Sequence, residues 1–196
     1  MSCNLELENI VEGSGVHPAW GINHCLRVFN SAKELSKHLS LDHEILYVSA
    51  MLHDTGKYPC YALSNVDHPL RSKGIAANIL QKMSFNSSKL SKVLDAIESH
   101  MYYSEPGRCD EAVYLRDADI LDNLGNIGLI RLFSQVGQDE LIQTPEDAVE
   151  RAKTFADALP NKTSTRNGQR LAIKRREEML RFLAGLKRQT AENVLL

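Results

Sequence analysis

Residues 45–57 read Ile-Leu-Tyr-Val-Ser-Ala-Met-Leu-His-Asp-Thr-Gly-Lys, an apolar run that ends in the pair His53-Asp54. A helix that is apolar on all sides lies inside a protein rather than at its surface, so this run predicts a buried helix. Asp42 precedes the run and is a suitable N-cap. The pair therefore places a neutral imidazole beside a carboxylate at the point where a buried helix ends.

Helical spacing of apolar residues continues along most of the chain, and strand-like alternation is nearly absent. The spacing predicts a helix from about Ala19 to His38, one that begins near Pro69, and one from a cap at Ser87-Ser88 to His100. Further helices are predicted at about 110–123, 126–136, 145–159 and 166–189. The fold class is therefore predicted to be all-α, with about seven to nine helices.

The composition is that of an ordinary globular protein, with 43% hydrophobic and 24% charged residues among 196. This length fits one domain, predicted to span residues 1–196 with its core at about 15–190. Charge interrupts every apolar stretch before it reaches the length of a membrane span, and the first ten residues do not resemble a secretion signal. We therefore expect a cytoplasmic protein that binds no membrane.

The net charge of −2 gives no general affinity for nucleic acid, and none is expected as a partner. The basic residues near the C-terminus alternate with Glu177 and Glu178, as on a solvated helix face. The four cysteines form no Cys-x-x-Cys pair, which argues against a thiolate zinc site.

Histidines and an aspartate elsewhere in the chain complete a possible metal site around the pair. His24 lies in a predicted helix, His68 and His100 lie at predicted helix edges, and Asp119 follows in an apolar segment. Unpaired carboxylates beside apolar runs are costly to bury, and a bound cation would satisfy them. Imidazole with carboxylate suits a divalent transition metal, and Fe, Mn, Co, Ni and Zn are all compatible with it.

Several segments resemble the HD-domain phosphohydrolase superfamily, and in particular a subgroup of small bacterial hydrolases. The resemblance spans roughly residues 15 to 190. The segments that carry it are 24–28 (His-Cys-Leu-Arg-Val), 53–57, 96–100 (Ala-Ile-Glu-Ser-His), 117–125 (Asp-Ala-Asp-Ile-Leu-Asp-Asn-Leu-Gly) and the tail 170–183. The resemblance implies a single all-helical, HD-domain-like bundle with a metal-dependent activity on phosphate esters.

The resemblance also implies which residues bind metal. The four core ligands of the superfamily fall on His24, His53, Asp54 and Asp119. His68 and His100 match extra ligands of two-metal relatives such as the HD-GYP phosphodiesterases. Those relatives often have a second histidine where this chain has Met101, and the GYP element is missing, which argues against that phosphodiesterase activity. One or two ions are therefore expected, and His68 and His100 could instead donate hydrogen bonds to phosphate.

Three residues are candidates for catalysis. Asp54 is placed to bridge two metal ions. Lys57 carries a point charge suited to a phosphate oxygen, the alternative being a solvated loop lysine. Asp122 lies three residues after Asp119, on the same helix face, and could orient a ligand or assist the water, the alternative being a surface aspartate.

The resulting functional prediction is a metal-dependent phosphohydrolase. Its partner would be a small phosphorylated substrate, such as a nucleotide or related metabolite, attacked by a metal-activated water. Two alternatives stay open: a phosphodiesterase or pyrophosphohydrolase for a signalling nucleotide, and a non-catalytic module whose metal only staples helices.

Overall fold

The computed structural model describes residues 2–61 and 65–190, and this part of the chain folds into α-helices without strands. The all-helical prediction is thereby confirmed. Short 3-10 turns occur at Pro18–Trp20, Thr55–Lys57, Pro59–Tyr61 and Leu159–Lys162. The α-helices are α1 (Ser2–Glu12), α2 (Ile22–Leu35), α3 (His43–Leu52), α4 (His68–Lys82), α5 (Ser87–Glu98), α6 (Asp110–Asp122), α7 (Gly125–Ser134), α8 (Pro145–Ala158) and α9 (Arg166–Gln189).

Contacts between residues divide the chain into two compact units, of which the first extends to Asp119 and the second begins at Ile120. The expectation of one domain over residues 1–196 stays a prediction, and residues 1, 62–64 and 191–196 of that range lie outside the described part. Among the described residues, no helix combines the length and the apolar character that a membrane span requires.

Helix α3 is the main packing element of the first unit. It contacts α1, α2 and α5, and every residue of its apolar run from Ile45 to Leu52 is buried. Its N-cap is Asp42, as predicted, whose side chain accepts hydrogen bonds from the backbone of Glu44 and Ile45. Because α3 is held on several sides, its C-terminal end and the pair that follows it are fixed within the core.

Helix α4 brings the next part of the chain back toward the end of α3. It packs against α5 and against the turn Thr55–Lys57 that follows α3. In the second unit, α7, α8 and α9 pack pairwise against one another. Helix α8 begins with a capping box, in which Thr144 and Asp147 each bind the other's backbone NH.

Two local features differ from the sequence predictions. Helix α1 was not predicted, and it buries Leu7 and Val11 in the core of the first unit. Helix α5 is capped by Asn86, whose side chain accepts a hydrogen bond from Ser88, rather than by Ser87 or Ser88. The amide of Asn86 therefore takes the place expected for a serine hydroxyl, and the boundary of the helix moves little.

Candidate metal centre

The six side chains expected to bind metal all belong to the first unit, and the structure brings them together. Together they are called the donor cluster below. His24 lies in α2, His53 and Asp54 directly follow α3, His68 begins α4, His100 follows α5, and Asp119 lies in α6. Although 95 positions separate the first from the last, the four histidine Nε2 atoms converge on the Asp54 carboxylate, and Asp119 Oδ1 lies beside two of them.

The first group of donors surrounds Asp54 Oδ2. His24 Nε2 lies 3.5 Å and His53 Nε2 lies 3.4 Å from this oxygen, and the two nitrogens are 3.1 Å apart. Asp119 Oδ1 closes the group at 3.4 Å from His24 Nε2 and 3.9 Å from His53 Nε2. These four residues form the Oδ2 side of the donor cluster.

The second group faces the other oxygen of the same carboxylate. His68 Nε2 lies 3.4 Å and His100 Nε2 lies 3.6 Å from Asp54 Oδ1, and these two nitrogens are 3.3 Å apart. The two residues form the Oδ1 side of the donor cluster. Asp54 thus presents one oxygen to each set of imidazoles.

These separations are those of ligands around an ion. Nitrogen and oxygen ligands at about 2.0–2.1 Å from a tetrahedral zinc ion stand about 3.3 Å from one another. Within the cluster, the ligand atoms of His24, His53 and Asp119 all lie within 4.8 Å of each other, as do those of His53, Asp54 and His100. The donor set and its spacing can therefore hold a divalent metal ion.

The electrostatics of Asp54 also fit a cation. Its Oδ1 atom is buried and accepts no well-formed hydrogen bond from the described residues, although Lys57 Nζ lies 3.1 Å away. Burial acts to raise the pKa of this carboxyl group, but neighbouring groups, of which the Lys57 ammonium is the foremost, outweigh it and hold the pKa well below its usual range. A buried anionic oxygen that faces two imidazoles is a suitable ligand for a positive ion.

The protonation of the histidines is set by what their other ring nitrogens contact. His53 Nδ1 lies 2.9 Å from the Ala50 carbonyl and His100 Nδ1 lies 2.6 Å from the Ile97 carbonyl. A carbonyl oxygen only accepts, so each Nδ1 carries the proton and each Nε2 lone pair faces the cluster. Burial lowers the pKa of His53 to about 3, which keeps its ring neutral near pH 7.

The turn after α3 is packed directly against the start of α4. Gly56 donates a backbone hydrogen bond to Ser72 Oγ at 2.9 Å. A Cβ atom on Gly56 would lie only 2.5 Å from the His68 carbonyl oxygen, so the close approach requires glycine. This contact holds Asp54, Lys57 and His68 in a fixed relation to one another.

Lys57 lies at the edge of the donor cluster. Its side chain is 24% exposed, its ammonium pairs with Asp54, and the same atom lies 5.1 Å above the ring of Trp20. The other most exposed members of the site are His68 at 12% and Asp119 at 8%, whereas Asp54 is 2% exposed. The cluster therefore opens to solvent on the side of Lys57, His68 and Asp119.

Asp122 occupies a different setting from the six donors. It is buried at the end of α6 and forms an ion pair with Arg131 in the second unit, at 3.1 Å. This contact rules out the description of Asp122 as a solvated surface residue. Its catalytic role stays a prediction.

Sequence reasoning missed three residues that touch the candidate site. Trp20 stacks on Lys57 from a distant part of the sequence, and no local pattern could have indicated it. Asp67 lies beside His68 and accepts hydrogen bonds from Tyr103, and the direct adjacency of Asp67 to a candidate ligand was the available signal.

Comparison with known proteins agrees with this geometry. The sequence profile of the HD domain family matches residues 21–124, which include every member of the donor cluster. No curated protein matches the sequence significantly.

Solved structures of similar fold cover nearly the whole chain. A predicted HD superfamily hydrolase from an uncultured Thermotogales bacterium is 26% identical, with a TM-score of 0.67, over 94% of this chain and 91% of the other. An HD-superfamily hydrolase from Bacillus thuringiensis is 21% identical, with a TM-score of 0.69, over 99% and 96%.

The Bacillus subtilis protein YpgQ, solved in complex with ADP, is 20% identical, with a TM-score of 0.72, over 95% of this chain and 97% of its own. Identities of 20–21% show a shared fold, whereas the family profile covers more than half of the chain and includes the histidine-aspartate pair. The chain therefore belongs to the HD domain family.

Proposed function

We propose that this protein is a metal-dependent phosphohydrolase that acts on a small phosphate ester, with a nucleotide or related metabolite as its substrate. The observation that carries the proposal is the convergence of two imidazoles on each oxygen of the Asp54 carboxylate, with Asp119 Oδ1 beside the two imidazoles at Oδ2. His24, His53, Asp54 and Asp119 would hold one divalent ion, and Asp54, His68 and His100 would hold a second.

A divalent ion bound there supplies a hydroxide at neutral pH and positive charge for the phosphoryl oxygens. The chain contributes the rest of the chemistry. The Nδ1 contacts of His53 and His100 fix the rings with their lone pairs turned inward, so the donor cluster is organised before substrate arrives.

Lys57 is the residue proposed to hold the substrate phosphate. It lies at the open side of the donor cluster, and its ammonium is within 3.1 Å of Asp54. The Trp20 ring beneath the ammonium limits where the side chain can go. A partly desolvated ammonium in this position can donate a charge-assisted hydrogen bond to a phosphate oxygen.

The exposure of the site favours an enzyme over a module in which metal only staples helices. A structural metal site is coordinatively closed, whereas a hydrolase needs an open side for water and substrate. Here Lys57, His68 and Asp119 reach the surface beside an otherwise buried cluster. The ADP bound to YpgQ, which shares the fold, makes nucleotides the first substrates to test.

The test is a hydrolysis assay of the full-length protein reconstituted with Mn²⁺. The panel contains p-nitrophenyl phosphate, its bis ester, and nucleoside mono-, di- and triphosphates. We expect metal-dependent release of phosphate or pyrophosphate from at least one nucleotide. Preference for the bis ester or for pyrophosphate release would favour the phosphodiesterase or pyrophosphohydrolase alternative.

The Lys57→Ala variant tests the role of the ammonium in the same assay. Loss of one charge-assisted hydrogen bond, about 1.5–3 kcal/mol, lowers kcat/KM by about 10- to 100-fold. Metal content should stay unchanged, because a charged lysine is not a metal ligand. Lys73→Ala is the control, since Lys73 pairs with Glu98 instead. A metal-loaded protein that hydrolyses nothing in the panel contradicts the proposed function.

A further inference from the structure

A pair of solvent-facing side chains touches the Oδ1 side of the donor cluster from outside. The Tyr103 hydroxyl lies 2.9 Å and 3.0 Å from the two carboxylate oxygens of Asp67 and donates to them. Asp67 Oδ1 in turn lies 3.5 Å from His68 Nδ1. These contacts connect the segment that carries His100 to the segment that carries His68.

Asp67 is the N-cap residue of α4, but its side chain does not cap that helix. Its carboxylate accepts no hydrogen bond from the first turn of α4, although aspartate at this position usually does so. The carboxylate is turned toward Tyr103 and His68 instead. Helix capping therefore does not account for the orientation of this side chain.

His68 differs from the other ligands in what can orient it. His53 and His100 follow their helices and use a carbonyl three residues earlier to hold Nδ1. His68 is the first residue of α4, so no earlier turn of its helix supplies such a carbonyl. The carboxylate of Asp67 is the anionic group at its Nδ1, and it favours the tautomer whose Nε2 lone pair faces the cluster.

The other end of the contact is also anchored. Tyr103 lies three residues after His100, in the loop between α5 and α6. Buried Arg116 donates hydrogen bonds to the carbonyls of Met101, Tyr102 and Ser104 at 3.1–3.3 Å. The backbone on both sides of Tyr103 is therefore held in place, and this limits the positions that the Tyr103 hydroxyl can occupy.

We propose that Asp67 and Tyr103 are positioning residues that clamp His68 against His100 and so set the affinity for the ion on the Oδ1 side. This inference rests on the proposed function, because it requires a metal in the donor cluster. The side chain of Asp67 is 56% exposed and Tyr103 is 51% exposed, so replacing either removes no core packing. Asp67 and Tyr103 reach the donor cluster through His68, so the Oδ2 side should be unaffected.

The test is a titration of Mn²⁺ into metal-free protein, followed by electron paramagnetic resonance and calorimetry. In Asp67→Asn and Tyr103→Phe, we expect the weaker of two binding constants to fall by about 10- to 100-fold. The tighter constant should stay as in the wild type. Tyr102→Phe, which removes a neighbouring hydroxyl, and Glu105→Gln, which neutralises an exposed carboxylate of the same loop, are the matched controls.

The melting temperature of each metal-free variant checks that the fold is intact. If the wild type binds two ions and both variants bind them with unchanged constants, Asp67 and Tyr103 do not set the affinity of the Oδ1 side. The proposed metal centre would then still hold. A wild type that binds a single ion also overturns the clamp. If the wild type binds no ion at all, the proposed function fails and the clamp fails with it. Weakening of both constants to the same extent would likewise contradict a role confined to His68.

Discussion

At the scale of single residues, burial and a backbone carbonyl together suit His53 to the proposed role of metal ligand. The ring is fully buried, and its pKa of about 3 keeps it neutral at any pH where the protein would work. An imidazole must be neutral to bind a metal ion, so no proton has to leave His53 before binding. The environment thus prepares the ligand before any ion arrives.

The lowered pKa of His53 also makes the stability of the metal-free protein depend on pH. In the unfolded chain His53 binds a proton below about pH 6.5, whereas in the folded protein it stays neutral down to about pH 3. The unfolded state therefore binds more protons between these values. The free energy of unfolding should fall as the pH drops from about 6.5 toward 3.

Urea unfolding of the metal-free protein at pH 7, 6 and 5 measures this dependence. His53→Gln should reduce the slope relative to wild type, by up to about 1.4 kcal/mol per pH unit for one proton. His43→Gln, which removes an exposed histidine at the start of α3, should keep the wild-type slope. Equal slopes in all three proteins would contradict the neutral state of His53.

At this scale the sequence predicted the identity of the donors but not their partners. His24, His53, Asp54 and Asp119 are marked by residue type and by resemblance to the family. The carbonyl partners and the stacking of Trp20 on Lys57 depend on how separate helices meet. Such contacts leave no local pattern in the sequence.

At the scale of elements, the contact between the turn Thr55–Lys57 and helix α4 holds the site together. A methyl group on Gly56 would meet the His68 carbonyl at 2.5 Å and Arg71 Cβ at 3.0 Å. Since a backbone carbonyl cannot turn away as a side chain can, the turn and the helix must separate. Gly56→Ala should lower the free energy of unfolding by about 1–3 kcal/mol, as overpacking does, and should reduce bound metal.

Gly74 provides a control within the same helix. Nothing lies within 4 Å of a Cβ atom placed there, so Gly74→Ala should raise stability by roughly 0.5–1 kcal/mol. Thermal or urea unfolding with metal analysis measures both variants. A Gly56→Ala protein as stable and as metal-rich as wild type would show that the close contact is not needed.

Helix boundaries were predictable where the sequence has a residue that commonly begins or ends a helix. Asp42 caps α3 as the sequence indicated, and α9 occupies the predicted range 166–189. Helix α1 was missed because Leu5, Leu7, Ile10 and Val11 do not form one clear apolar stripe. Packing of Leu7 and Val11 into the core formed with α3 stabilises this short helix, and that packing is a tertiary effect.

At the scale of the whole molecule, the donor cluster belongs to the unit that extends to Asp119. Five separate segments of the chain supply the side chains of the donor cluster, and the family profile covers all five. The resemblance indicated which residues would meet, but periodicity alone could not give their separations. The two-sided arrangement about Asp54, with one oxygen toward each set of imidazoles, emerged only from the packing of α2, α3, α4, α5 and α6.

We propose that the Asp54 carboxylate organises a site for two ions. This proposal is tested by counting the metal ions bound per chain when metal-free protein is saturated with Mn²⁺ and analysed by elemental analysis after removal of free ion. We predict about two ions for the wild type, about one for His68→Ala, and almost none for Asp54→Ala. Asp157→Ala, which removes an exposed carboxylate from α8, should match the wild type. An Asp54→Ala protein that retains the metal content of the wild type, or a wild type that binds no ion, would contradict a metal centre organised by Asp54.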